Sequence, residues 1–454
     1  MNPFYFEQLP RSGKIFVSNL LGEWSLVEGK GDLVDAIDDR QIIFTSASLS
    51  PENFQRAAVA KLTKKYLTAF EKPGLVMVVP TLRCDHSCSY CQVSRAPLNS
   101  FSHDLQLSPV EVVDWFLSIS NSLTKLEFQG GEPLLRQDYL RSIVEVLDDK
   151  THHRHEVVIA TALGPDLSEE FLDWCNARGV KFSVSFDGDP VEHARVRRSK
   201  IFDSFLRFQL QIERLRNAID PSHISYVSTL TKGTVEKGAR AYIDSCQDLG
   251  IDRIFSRPVM PYGFAIETSS ALGVEDTVWW MFAEEYLDEV IKRHERGTTF
   301  IDDYYTMYLR KLMANDTCGY VDLMSPAGYA LSCCILNYDG YVYGSDESRM
   351  LYEATKDQSL RISQAGSTTE ADRLEDQVAI LADSFIEVTP HCDLCAFQPF
   401  CGSDPIHHIY TQNDPIGFKL DSHVCKSSKN VFGMLAERIY DGRIPPELMK
   451  IWLS

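Results

Sequence analysis

The 454-residue sequence lacks any uninterrupted apolar run approaching the ~18 residues that a membrane-spanning helix needs. Its opening, MNPFYFEQLPRSGK, lacks the charged start and apolar stretch of a secretory signal, so a cytoplasmic location and no membrane partner are expected. Basic charge is also scarce: 45 Lys and Arg stand against 64 Asp and Glu, a formal net charge of -19. That balance argues against a nucleic-acid partner gripped by broad phosphate neutralisation. One basic stretch, HARVRRSK, leaves room for a small anionic ligand. Neither a low-complexity tract nor an internal repeat beyond the strand-helix alternation described below is present.

What remains is the composition of an ordinary globular protein, 44% hydrophobic and 24% charged, long enough for two or three domains. Residues 1–73 read as a small α+β unit, with a hairpin in GKIFVSNLLGEWSLVE and an amphipathic helix in PENFQRAAVAKLTKKYLTAF, closed by Pro73-Gly74. Over 74–297, six strand-like runs (75–81, 125–130, 156–162, 181–188, 223–230 and 253–259) alternate with helical ones. This α/β pattern implies a parallel sheet closed into a partial (β/α)6 TIM-like barrel, with its chemistry at the carboxyl ends of the strands. Residues 298–454 look different, rich in Cys, Asp and Gly and poor in helical periodicity, with an exposed loop expected over 354–372.

Twelve cysteines without a secretion signal point to metal or redox work rather than disulfides. TLRCDHSCSYCQVSR places Cys84, Cys88 and Cys91 as C-x3-C-x2-C just after the first barrel strand. Three thiolates can ligate three irons of a [4Fe-4S] cluster and leave the fourth open to the amino and carboxylate groups of S-adenosylmethionine (SAM). A zinc knuckle is the alternative, with His86 as a possible further ligand.

The spacing, with Tyr90 before the third cysteine, resembles the signature of the radical SAM superfamily. Gly130-Gly131-Glu132-Pro133 matches that family's GGEP motif, which implies a carboxylate for the SAM ammonium and glycines that let backbone approach the ligand. Thr161-Ala162 stands where relatives often have Thr-Asn, so a polar contact is expected to be missing. Ser185 and Asp187 fall in a segment resembling the family's SxDG, near the nucleoside, and Arg197 in the place of an arginine that meets the SAM carboxylate. A plain turn at GGEP and a solvated surface arginine at 197 are the bland alternatives. Arg257 is expected at the barrel mouth.

Cys392, Cys395 and Cys401, followed at a distance by Cys425, offer four thiols for one closed site, either a second [4Fe-4S] cluster or structural zinc. The pattern is similar to an auxiliary cluster of SPASM domains. A further auxiliary site is degenerate by comparison, with Cys318, Cys333 and Cys334 as candidates and Asp346 as an oxygen ligand or proton acceptor. Cys175 and Cys246 read as buried hydrophobes, and the Trp279-Trp280 pair as helix packing. His152, His153 and His155 form an exposed-looking cluster without assigned function, and His407 and His408 adjoin the four-thiol site.

Together these motifs resemble the radical SAM/SPASM maturases of ribosomal peptides, and those of the His-Xaa-Ser system in particular. The resemblance rests on TLRCDHSCSYCQVSR, YDGYVYGSDESRML and KIFVSNLLGEWSL. It implies a ribosomally synthesised precursor peptide as substrate and its oxidative modification by a 5'-deoxyadenosyl radical, with a side-chain cross-link as the product. Its implied partners are an electron donor such as flavodoxin or ferredoxin and a companion maturase. The N-terminal unit then either binds the peptide's leader or simply caps the barrel. Rival expectations are formylglycine-type oxidation of Ser or Cys, and a non-enzymatic zinc scaffold for peptides.

Overall fold

A computed structural model describes residues 4–29, 50–69, 72–260, 262–314, 323–325, 328–366 and 374–454. Contacts divide the chain into two compact units. The first gathers Met1–Glu71, Tyr304–Leu331 and Val378–Ser454, and the second Lys72–Asp303 and Ser332–Gln377. This differs from a linear three-part reading, because the two ends of the sequence share one unit and a stretch near residue 350 belongs with the barrel.

In the first unit, β1 (Phe4–Gln8), β2 (Ile15–Asn19) and β3 (Trp24–Val27) form an antiparallel sheet in that order. Every residue of β2 is buried, so it is covered on both faces. Ile15 and Val17 meet Val27 and Phe4. Phe16 meets Trp24 at 5.4 Å and Phe397 at 4.5 Å between ring centroids. Ser18 Oγ donates to the Ala396 carbonyl at 2.5 Å, and Trp24 Nε1 to that of Leu312 at 2.9 Å. The expected helix forms over Pro51–Ala69. The C-terminal stretch is more helical than its sequence suggests, with Asp303–Ala314, Pro405–Gln412, His423–Tyr440 and Pro446–Leu453 all helical. Most of these are too short to build a clear period, and the longest is buried broadly, through Val431, Phe432, Gly433, Met434 and Leu435, rather than on one stripe.

The second unit is built on ten strands. The six expected ones are β4 (Leu75–Thr81), β5 (Lys125–Gly130), β6 (Val157–Thr161), β7 (Lys181–Ser185), β8 (Ile224–Leu230) and β9 (Arg253–Pro258). Each pairs in parallel with the next. The sheet continues past them: β10 (Ile301–Asp302) lies parallel to β9, and β11 (Cys333–Leu336) parallel to β4. Beyond β11 come β12 (Tyr341–Tyr343) and β13 (Arg361–Gln364), both antiparallel. The loop expected over 354–372 is thereby corrected: it supplies β13, whose four residues hold a single apolar side chain and no visible alternation, while 367–373 lie outside the described residues. Val76, Val78, Phe128, Phe182, Val184 and Ile254 are all fully buried and give the sheet its core. Among the described residues no helix is long and apolar enough to cross a membrane.

Candidate cofactor site

The site sits where β4, β5, β6 and β7 end. After Thr81 the chain turns into the cysteine loop, held by Cys84 N–H to the Ala96 carbonyl at 3.1 Å and Ser89 N–H to that of Val196 at 2.8 Å. Tyr90 is buried against Val196, Ala265 and Leu272, which anchors the middle of the loop. Burial pushes the Cys84 thiol well up and that of Cys88 to about 12; Cys88 raises Cys84 further, and Cys91 raises Cys88. Burial and these neighbouring charges favour the thiol form of Cys84 and Cys88, and a bound metal would favour the thiolate.

The two glycines of the GGEP segment admit the close approach of this loop. A Cβ on Gly131 would stand 2.3 Å from the carbonyl oxygens of Leu82 and Arg83, and one on Gly130, at φ +135°, 2.3 Å from that of Thr81. Glu132 N–H then donates to the Arg83 carbonyl at 2.9 Å. Its carboxylate is fully buried and accepts from the Thr161 hydroxyl (2.8 Å), Ala162 N–H (2.9 Å) and Leu134 N–H (3.1 Å), just where Pro133 starts a short 3-10 turn. Burial, then neighbouring Asp85, push Glu132 up to about 8. A buried carboxylate in this state is completed by a cationic ligand, which is what the ammonium and sulfonium of SAM provide. Thr161 and the Ala162 backbone both donate to Glu132, while Ala162 itself carries no polar side chain.

Asp187, fully buried after β7, accepts from Arg197 Nε at 2.6 Å, Thr229 N–H at 2.8 Å and the Tyr90 hydroxyl. Arg197 is buried as well, its guanidinium 5.6 Å from the Tyr90 ring centroid. The surface reading of Arg197 is therefore corrected, and its guanidinium engages Asp187. Ser185 closes β7, half-buried. Arg257 on β9 donates to Gln92 in the cysteine loop at 3.3 Å. Sequence reasoning passed over Asp85, an acid directly after the first cysteine; its carboxylate accepts from or pairs with His86 Nδ1 at 2.8 Å and raises Glu132.

In the first unit Cys392, Cys395, Cys401 and Cys425 line one cavity with His408, Lys419 and Ser422. Burial pushes Cys395 to about 12 and Cys401 to about 11, and Cys401 and Cys425 add to the rise at Cys392. Cys425 sits in the first turn of helix His423–Tyr440, its N–H on the Ser422 capping oxygen at 3.3 Å. Two of the three further auxiliary candidates fall among the described residues. Cys318 lies outside the described residues, and Cys333 and Cys334 are successive on β11, so their side chains point to opposite faces. Cys333 Sγ donates to the Gly344 carbonyl at 3.2 Å, and Asp346 accepts from Arg349 at 2.6 Å. Cys175 and Cys246 are fully buried, Trp279 and Trp280 are buried on their helix, and His155 is buried with Nδ1 on the Thr124 carbonyl at 2.9 Å, which corrects its exposed reading.

Residues 78–237 match the model of the Radical SAM superfamily. The matched domain carries the thiol loop, and the fold around it is an α/β barrel that is mostly parallel. Among curated proteins the chain is 25% identical over 109 residues to an uncharacterized protein of Methanocaldococcus jannaschii, covering 24% of this chain and 36% of that one. It is 23% identical over 165 residues to an uncharacterized protein of Methanothermobacter thermautotrophicus, 36% of this chain and 59% of the other. The chain thus spans less than two thirds of either relative. Among solved structures it resembles native anSMEcpe with bound AdoMet, with a TM-score of 0.65 at 14% identity over 83% of this chain and 99% of that one. Streptococcus suis SuiB bound to precursor peptide SuiA gives a TM-score of 0.52 at 12% identity over 93% and 98%. At these identities the likeness concerns the fold.

Proposed function

We propose that the chain is a maturase that abstracts a hydrogen atom from a ribosomally made peptide and installs an oxidative modification, a side-chain cross-link. The observation that carries the cofactor half is the juxtaposition of the thiol loop, where Cys91 acts on Cys88 and Cys88 on Cys84, with the buried Glu132, which acts on Cys84. Cys84, Cys88 and Cys91 would hold a [4Fe-4S] cluster, which with SAM bound would supply one electron for cleavage of a C–S bond into methionine and a 5'-deoxyadenosyl radical. The chain's own residues bind and orient. Glu132 accepts the SAM ammonium, Thr161 and the Ala162 N–H fix the carboxylate, and the Asp187–Arg197–Tyr90 group sets the wall toward the nucleoside, with Gly130, Gly131, Pro133 and Ser185 shaping the strand ends.

The substrate half is supported by fold likeness over most of the chain to anSMEcpe, also solved with a Kp18Cys peptide, and to SuiB, solved with its precursor peptide SuiA. Cys392, Cys395, Cys401 and Cys425 would hold an auxiliary [4Fe-4S] cluster able to take the surplus electron. Sequence likeness points to the His-Xaa-Ser system and its maturase HxsB, with flavodoxin or ferredoxin as donor, a companion maturase, and a leader pairing with an edge of the β1–β3 sheet. Formylglycine-type oxidation is the rival outcome, separated by fragmentation of the product, since a macrocycle suppresses internal cleavage.

A second reading has one observation in its favour: Cys84, Asp85 and His86 offer donor atoms all within 4.8 Å of one another, a set a zinc ion can use. Anaerobic purification with iron, sulfide and zinc analysis decides. About four to eight irons per chain, and loss of 5'-deoxyadenosine when the three loop cysteines become Ala, are expected. Zinc in that loop, or undiminished SAM cleavage by the triple variant, would overturn the proposal.

A further inference from the structure

Behind the four thiols of the first unit lies a buried polar network that cofactor binding does not require. Asp383, His408, Lys419, Ser403 and Ser422 are all at most 5% exposed. Ser403 Oγ donates to Asp383 Oδ2 at 2.6 Å, His408 Nδ1 lies 3.1 Å from the same oxygen, and Lys419 Nζ donates to Asp383 Oδ1. Lys419 Nζ is also 3.2 Å from His408 Nδ1. On its far side the imidazole Nε2 meets Ser422 Oγ at 2.9 Å, the oxygen that holds the Cys425 N–H.

A charge this deep is costly unless it is paired, and truncating one partner costs several kcal/mol, so simple packing is not why it is there. Its orientation is informative. Lys419 and His408 line the cavity with the cysteines, while Asp383 is not among the lining residues. Lys419 favours the ionised forms of Cys392 and Cys425, as Lys429, which also lines the cavity, does those of Cys395 and Cys425. The positive end of the pair faces the sulfurs. Lys419 is 2% exposed, so solvent screens its field weakly. Four thiolates make any metal group bound there anionic, and adding an electron makes it more so.

We propose that Lys419, clamped by Asp383 and His408, is a positioning residue that sets the reduction potential of an auxiliary cluster on Cys392, Cys395, Cys401 and Cys425. The ammonium stabilises the state that has gained one electron and no proton, which makes the site a better sink for the electron left on a substrate radical. Through Ser422 the same clamp fixes the first turn bearing Cys425. The inference rests on the auxiliary-cluster reading given above.

Potentiometric electron paramagnetic resonance of the full chain, with Cys84, Cys88 and Cys91 replaced by Ala, isolates the C-terminal signal. At the parent midpoint, K419M is expected to lower the reduced-to-oxidised ratio at least about tenfold, or about 59 mV for one electron. K419R keeps the charge and restores the ratio, and D383N, which leaves the ammonium unopposed, moves it the other way. An unchanged midpoint in K419M with its iron intact overturns the role of Lys419. If K419M does not load iron, the direction in D383N decides, and failure of both to load overturns the inference in favour of a structural clamp. A parent without iron or a paramagnetic signal sinks the auxiliary-cluster reading itself, a distinct result.

Discussion

Replacing Thr161 with Val tests the cofactor pocket at almost constant shape. The change removes the hydroxyl that donates to Glu132 Oε1 at 2.8 Å and the oxygen that accepts from Leu163 N–H at 2.9 Å. A hydrogen bond to an ionised group contributes about 1.5–3 kcal/mol. At tenfold per ~1.4 kcal/mol, the dissociation constant for SAM should rise roughly 10- to 150-fold. The pH dependence has a definite sign. Glu132 lies near 8 because of burial and then Asp85, so in the free protein it is protonated below that pH. A cationic ligand needs the carboxylate, so binding expels a proton, and affinity rises with pH until it levels above about 8. Without the hydroxyl the ionised form is less favoured, so the plateau in T161V moves to higher pH and the deficit shrinks at the alkaline end. Titration calorimetry on anaerobically reconstituted protein, in buffers of different ionisation heat, reads both affinity and proton release. Affinity within twofold of wild type, or binding without proton release near neutral pH, would refute the reasoning.

Arg197→Leu leaves Asp187 charged and buried, and should cost about 3–5 kcal/mol in urea unfolding, part of it recovered in R197L/D187L. Gly131→Ala places a carbon 2.3 Å from two backbone oxygens of the cysteine loop and should abolish cluster loading at the first site while the C-terminal iron persists, as separate iron counts would show. Cys401→Ala should remove only the C-terminal share of iron and leave 5'-deoxyadenosine formation measurable by chromatography. Trp24→Phe keeps the stack on Phe16 but loses the donor to the Leu312 carbonyl, for about 1 kcal/mol in chemical denaturation.

Much of this was written in local pattern. The six barrel strands are apolar runs spaced by helices, and the cysteine loop and GGEP segment follow the first two of them, so strand ends and thiols could be read together. What escaped depends on partners distant in sequence. β11 to β13 extend the barrel sheet only because Cys333 to Leu336 find Leu75 to Val78, some 258 residues away, and nothing in CCIL advertises that pairing. β1 is a strand because Phe4 has Ile15, Val17 and Val27 to cover. Thr161 was a pocket candidate by resemblance, but its bond to Glu132 emerges only when the two strand ends stand side by side. Asp85 and His155 show the converse, polar residues whose burial no sequence window reveals.

The joining of the sequence's two ends in one unit has a consequence for how the protein is made. Phe16 and Ser18 grip Phe397 and Ala396, the two residues directly after Cys395. A chain relieved of its first thirty residues would bare the very turn that carries Cys392, Cys395 and Cys401. On the ribosome the early strands must wait for almost the entire chain to emerge before they find their cover. The barrel's thiol loop, by contrast, has the cover of its Tyr90 in Val196, Ala265 and Leu272, all of them made before the late thiols.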